Sequence, residues 1–214
     1  MSLSVVTITY NDPEGLKHTL DSLQPLANSN IEWKNIIIDS SPTVTQPVLD
    51  RLPSYWPMEY HLVAKRGVFA AQNEGIDRVS GKCVWFLNGG DWLKDFNVLK
   101  KILNFFKEDP SLELVCAGAD LYKDGKYLYP LSPVQPFFKN LIGMNGLCHQ
   151  GLVYKQSALK RVGYFLGNPF WIAADYEHHV RCYAAGVKTL CMPDRLVGYD
   201  MSGQSTNWKI ALKE

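Results

Sequence analysis

Short apolar runs alternate with amphipathic stretches through the first half of the chain, and most of the runs stop abruptly in polar residues. Leu3 to Thr9 is an unbroken buried-strand pattern. Asn11 or Asp12 can cap the helix that follows, Pro13 suits its first turn, and Leu16, Leu20 and Leu23 share one of its faces. Trp33 to Asp39 predicts a second strand, Glu59 to Ala64 a third, Val68 to Val79 a helix, Lys82 to Leu87 a fourth strand, and Phe96 to Lys107 another helix. Strands that take turns with helices require an α/β fold of three layers: a mostly parallel central sheet covered by helices on both faces.

After Leu112 to Ala117 the rhythm changes. Tyr122 to Tyr129 straddles an Asp124-Gly125 turn like a hairpin, and a proline-rich stretch runs on to Pro136. Leu152 to Tyr154 is a short apolar strand and Ala173 to Gly186 a helix. The second half is expected to be an elaboration with a different task.

With 214 residues, 46% of them hydrophobic, the chain can bury one substantial core, so a single domain over 1–214 is expected. Its formal charge of +1 and the lack of any like-charge run argue against nucleic acid as a partner and against generic attraction to acidic membranes. The five cysteines are odd in number, scattered and free of any CxxC pair, which fits reduced thiols in the cytoplasm. The N-terminal MSLSVVTITYNDPEGLK lacks the pattern of a signal peptide. No transmembrane segment is expected: the best apolar candidate, Tyr127 to Phe138, carries three prolines.

Ligands of an open parallel sheet bind beyond the carboxyl ends of its strands. Here those ends read Thr9-Tyr10-Asn11-Asp12, Asp39-Ser40-Ser41 and Asn88-Gly89-Gly90-Asp91. The isolated Gly15 after the first strand is no dinucleotide-binding GxGxxG, and no P-loop GxxxxGK[ST] occurs anywhere. A nucleotidyltransferase would need a glycine-rich, basic phosphate loop near the first strand, and TYNDPEG is not one.

Five blocks stand in order: SVVTITYN, IIIDSSPT, RGVFAAQNEGIDRVSGKCVWFLNGGDWL, CHQGLVYKQSALKRVGYF and AADYEHHVRCYAAG. Together they resemble a family 2 glycosyltransferase of the Rossmann-like GT-A fold, from Val5 to about Ser205. The FLNxGD form is similar to bacterial polysaccharide-assembly enzymes of the colanic-acid type more than to cellulose or chitin synthases.

The resemblance implies a nucleotide-sugar-binding half over 1–118, then an acceptor-binding half and C-terminal lid over 119–214. It implies a UDP-sugar or GDP-sugar donor, Mg²⁺ or Mn²⁺, a carbohydrate or lipid-linked sugar acceptor, and a place in the cytoplasm, free or peripheral to the inner face of the membrane. Asp39 falls where the family reads the base, with Thr9, Tyr10 and Asn11 beside it. Asp39 can also simply cap the Ser40-Ser41-Pro42 turn. Gly67 to Asn73 matches a stretch that lies against the donor. Arg66 before it suits a diphosphate fork or a solvated surface, and Asn73 a ligand bridge or a helix-packing bond.

Asn88, Gly89, Gly90 and Asp91 occupy the place of the family's acidic metal motif, with Asn88 and Gly90 replacing two acids and only Asp91 left to hold a metal. Asp91 alternatively caps a turn, and the two glycines suit close approach to the sugar or turn chemistry. His149 and Gln150 match a pair that faces donor or acceptor, although a histidine among apolar neighbours is more often a satisfied core residue. Asp175 matches the catalytic base at a helix start, where an acid is also favoured by the helix dipole. Glu177 is the reserve base, but its i, i+4 spacing to Arg181 suits a structural pair. Asp200 to Ser205 resembles a lid over the donor, or a flexible end. The implied reaction is single displacement with inversion. The alternative is a non-catalytic nucleotide-sugar or carbohydrate-binding module of the same fold.

Overall fold

The computed structural model describes residues 1–42, 50, 56–64, 67–143, 147–167 and 173–202. β1 (Leu3–Thr9) is buried along its whole length because strands flank it on both sides and helices cover both its faces. It pairs in parallel with β2 (Trp33–Asp39) and β4 (Cys83–Phe86), and β3 (Met58–Leu62) adds in parallel to β2. Between these strands run α1 (Pro13–Ser22), α2 (Gln24–Ala27) and α3 (Val68–Ile76); β5 (Trp92–Leu93) and α4 (Phe96–Glu108) follow β4. The second half supplies β6 (Leu114–Lys123), β7 (Lys126–Leu131), α5 (Phe138–Gly143), a 3₁₀ turn (His149–Gly151), β8 (Leu152–Lys155), α6 (Gln156–Val162), α7 (Ala174–Ala184) and β9 (Thr189–Asp200).

All nine strands join one sheet in the order β3-β2-β1-β4-β8-β6-β9-β5, with β7 also on β6. β1, β2, β3, β4, β6 and β9 run one way; β5, β7 and β8 run the other. The sheet is therefore mostly parallel, as expected. Side chains alternate between its faces: Val5, Trp85, Val115 and Val153 pack under α4, whereas Val6, Phe86, Leu114 and Tyr154 pack with Phe69 of α3, Leu159 of α6 and Cys182 of α7. That alternation is the period-two rule of the strand applied to a doubly covered sheet.

Local signals act where they were read. Asp12 caps α1 by accepting from Gly15 N at 2.8 Å, and Leu16, Leu20 and Leu23 are buried. Asp124 and Gly125 take φ of 50° and 72°, the left-handed pair of a two-residue hairpin joining β6 to β7. The helix expected to reach Val79 stops at Ile76, and the third strand stops at Leu62.

The second half is not an appendage to the sheet but part of it. β9 was not expected, because Pro193, Asp194 and Gly198 interrupt its apolar pattern. β6 accepts it in parallel through two register shifts, between Cys116 and Gly118 and between Gly118 and Ala119. Among the described residues no helix is long and apolar enough to cross a membrane.

Candidate active site

The carboxyl ends of β1, β2 and β4 meet at one edge. Ser40 N donates to Thr9 O at 3.0 Å and Asn11 N to Ser41 Oγ at 2.8 Å, so the first two strand ends are tied together. Asn11 needs a left-handed φ of 51° to do this, a conformation asparagine tolerates better than most residues. Asp39 is fully buried beneath the tie: Oδ1 accepts from Ser41 N at 2.8 Å and Oδ2 from the Tyr60 hydroxyl at 2.7 Å. The carboxylate thus holds the turn after β2 and binds it to β3. Thr9 is buried, while the Tyr10 ring stands 38% exposed beside this corner.

The loop after β4 is stapled to α1 by one hydroxyl. Thr19 Oγ1 accepts from Gly90 N at 3.0 Å and lies 2.6 Å from Asp91 O, to which it donates. Gly90 has φ of 94°, which a side chain would strain. A Cβ on Gly89 would stand 3.2 Å from Ile8 O and 3.3 Å from Thr9 Oγ1, so these glycines let the loop lie against the end of β1. Asn88 accepts from Gln72 Nε2 of α3 at 3.3 Å.

Asp91 follows and is only 4% exposed. Its Oδ1 accepts from Asp200 N at 2.9 Å, and the Gln150 side chain bonds it as well. Burial pushes its pKa well above the usual carboxylate value, and the nearby Asp200 charge pushes it further, against the pull of those two donors. The 3₁₀ turn carrying Gln150 is held by Trp85 Nε1, which donates to Gln150 O at 2.7 Å. Cys148, just before the turn, has its thiol pushed up to about 12 by burial, with further contributions from the charges of Asp91 and Asp175. The turn therefore bonds Asp91 through Gln150, and the charge of Asp175 acts on it more weakly through Cys148.

Asp175 sits in the first turn of α7 and accepts from Tyr176 N at 2.7 Å. Glu177 forms a two-point pair with Arg181, at 2.5 Å to Nε and 2.8 Å to Nη2. The same guanidinium donates to Val162 O and Tyr164 O, so Glu177 is built into the α6–α7 connection. Asn73 clamps the backbone of Phe165, donating from Nδ2 to its O at 2.9 Å and accepting from its N at 3.0 Å. His149 turns inward, stacked on Phe86 with ring centres 5.1 Å apart. Arg66 and Gly203 to Ser205 lie outside the described residues.

Sequence reasoning did not single out Thr19 or Tyr60, and it read Asp200 only as the start of a lid, not as a partner of Asp91. Thr19 was visible as a polar residue in the apolar stripe of α1, whereas nothing local to Asp200 points to Asp91. The family resemblance implies a divalent metal, and the donor chemistry here suits a hard ion, because Asp91 and Asp200 offer carboxylate oxygens. Among the described residues no three potential ligands converge, so such an ion would complete its shell from substrate and water.

Comparison with known proteins gives a consistent result. The family profile of Glycosyl transferase family 2 matches residues 4–162. A protein of Mycobacterium tuberculosis described as an uncharacterized glycosyltransferase is 30% identical over 191 residues, covering 84% of this chain and 68% of its own length. The putative teichuronic acid biosynthesis glycosyltransferase TuaG of Bacillus subtilis is 31% identical over 112 residues, 50% of this chain and 42% of its own. Among solved structures, S. aureus TarS superposes with a TM-score of 0.74 at 16% identity, over 100% of this chain and 39% of TarS. The mannosyltransferase PcManGT of Pyrobaculum calidifontis, in complex with GDP-Man and Mn²⁺, gives 0.72 at 16% identity, over 97% of this chain and 59% of its own. The chain thus spans 39% and 59% of these two solved chains, under two thirds of each.

Proposed function

Because this chain belongs to glycosyl transferase family 2, we propose that it moves a sugar from a nucleoside-diphosphate sugar to a hydroxyl acceptor in the assembly of a polysaccharide or glycoconjugate. The observation that carries the reading is the turn at Cys148–Gly151, which bonds Asp91 through Gln150 and feels the charge of Asp175 through Cys148. It brings an acid suited to a metal–diphosphate and an acid suited to a general base to one floor, at the strand ends where α/β folds bind ligands. Two structural neighbours support the donor class: one is TarS in complex with UDP-GlcNAc, the other PcManGT with GDP-Man and Mn²⁺.

In this reading, residues 1–118 hold the donor and 119–214 the acceptor and lid. Thr9, Tyr10, Asn11 and Asp39 face the nucleoside, Arg66 meets the diphosphate, and Asn88, Gly89 and Gly90 line the path to the sugar. Asn73 supports the site by anchoring the Phe165 backbone. Asp91, held by Gln150 and joined by Asp200, would bind Mg²⁺ or Mn²⁺, which neutralises diphosphate charge. Asp175 takes the proton from the acceptor hydroxyl. The oxygen then forms its bond to the anomeric carbon on the face opposite the diphosphate. The bond from that carbon to the diphosphate oxygen breaks, the nucleoside diphosphate leaves with the electron pair, and the configuration inverts.

The test is a panel of UDP- and GDP-sugars with wild-type protein and Asp175→Asn, reading release of free nucleoside diphosphate. Donor-dependent release by wild type, reduced by the substitution, supports transfer. Nucleotide binding without release from any donor would instead make the chain a binding module.

A further inference from the structure

His149 and His179 present an unsolved polar problem in the core. His149 is 6% exposed and lies against Phe86, Phe165 and His179; His179 is 3% exposed and faces it from α7 with ring centres 6.0 Å apart and planes at 31°. Both ring nitrogens of His149 and Nε2 of His179 are buried without a hydrogen-bond partner among the described residues, so the two rings do not bond each other directly. His178 beside them is different, since its Nε2 meets Gly163 O at 3.1 Å. Three orphaned nitrogens at one place are more than folded interiors usually leave unsatisfied. Each neutral imidazole has one donor and one acceptor, and a water molecule offers both in return.

We infer that His149 and His179 form an uncharged pair bridged by an ordered water, and that this pair positions Asp175 relative to Asp91. The inference rests on the proposed transferase reading. His179 lies four residues after Asp175, on the same face of α7. The bridge adds a tie on the core side of the first turns of α7, where the Tyr176 hydroxyl already donates to Leu141 O at 2.8 Å. On the other side, His149 opens the turn whose next residue, Gln150, holds Asp91. A continuous path thus runs from Asp91 through Gln150, His149, water and His179 to Asp175. Burial moves both imidazoles away from protonation, His149 to about 3, which keeps the pair neutral.

The experiment compares His149→Phe, His179→Phe, the double variant and His179→Gln, together with a high-resolution crystal structure of the wild type. The crystal structure should contain one water within hydrogen-bond distance of a nitrogen of each ring. Each single Phe variant should lower kcat by about tenfold or more through misplacement of the base, with donor KM held within about twofold. The double variant should be no slower than either single one, and its Tm should recover toward wild type because no polar partner is left unpaired. His179→Gln should restore most of kcat. Dry imidazoles in the crystal, additive losses in kcat, or kcat falling only in step with Tm would each overturn the inference. If wild type releases no nucleotide at all, it is the transferase reading that fails; the water, and a shift of Asp175 relative to Asp91 in crystals of His179→Phe, still decide the pairing.

Discussion

The backbone N–H of Asp200 donates to Asp91 Oδ1 at 2.9 Å, joining residues 109 positions apart. The end of β9 is thereby latched to the loop after β4, and a second acid reaches Asp91 with the latch.

Metal binding should follow from that pair. Two carboxylates are too few to hold Mg²⁺ or Mn²⁺ tightly alone, so Mn²⁺ and a nucleoside diphosphate together should raise Tm by more than the sum of their separate effects. With the joint ligand at a hundred times its Kd the gain is about 2.7 kcal/mol. Asp91→Ala should abolish this synergy and Asp200→Ala should weaken it. Full activity in excess EDTA would remove the metal from the site.

Asp175 and Glu177 should separate chemistry from stability. Asp175→Asn keeps size but cannot take a proton, so transfer should drop by about 10²–10⁴ with donor affinity unchanged. Glu177→Gln instead loosens the Arg181 clamp on Val162 O and Tyr164 O, and should lower Tm while leaving most of the turnover. The reverse pattern would make Glu177 the base.

Nucleobase choice should depend on Asp39. Uracil and guanine carry a ring N–H that a carboxylate can accept, and cytosine does not. UDP or GDP should therefore stabilise the protein more than CDP in a thermal-shift assay, and Asp39→Ala should erase the difference. Tyr60→Phe removes the 2.7 Å bond to Oδ2 but keeps the carboxylate, and should keep the preference. Equal shifts for UDP and CDP in wild type would take Asp39 out of the base pocket.

Thr19→Val tests the staple under the loop that carries Asp91. The substitution nearly preserves shape but leaves Gly90 N and Asp91 O without their buried partner, at a cost of about 1–3 kcal/mol. Urea denaturation should show that loss, and metal–diphosphate synergy should fall with it. An unchanged midpoint would mean the loop holds itself.

Acid should destabilise the fold through its buried histidines. Burial lowers His149 to about 3 and His178 to about 4, below the 6.5 of an unfolded chain, so the unfolded state binds more protons between those values. Stability should therefore rise with pH through that window and be lost as pH falls from about 6.5, by up to about 1.4 kcal/mol per pH unit for each group. The double variant His149→Phe with His178→Phe should flatten the slope. A slope that persists unchanged would take the acid sensitivity away from these two histidines and leave it to His179 or to carboxylates.

Where neighbours in sequence are also neighbours in space, the amino-acid order alone determined the outcome. β1 and β2 fall on Leu3–Thr9 and Trp33–Asp39 as expected, Asp12 caps α1, and Asp124-Gly125 makes its turn, because strand period, capping and left-handed φ are decided within a few residues. The polar strand ends that mark the candidate site were legible for the same reason. Tertiary structure alone decided that β9 lies in the sheet, since Pro193 and Asp194 break its pattern and only the bulged edge of β6 supplies a register for it. It also decided that Asn73 serves the Phe165 backbone, that His149 faces His179, and that Asp200 meets Asp91. Each of these contacts closes a loop of tens of residues, and a loop that long closes where the packed layers allow, whatever the local preference at either end.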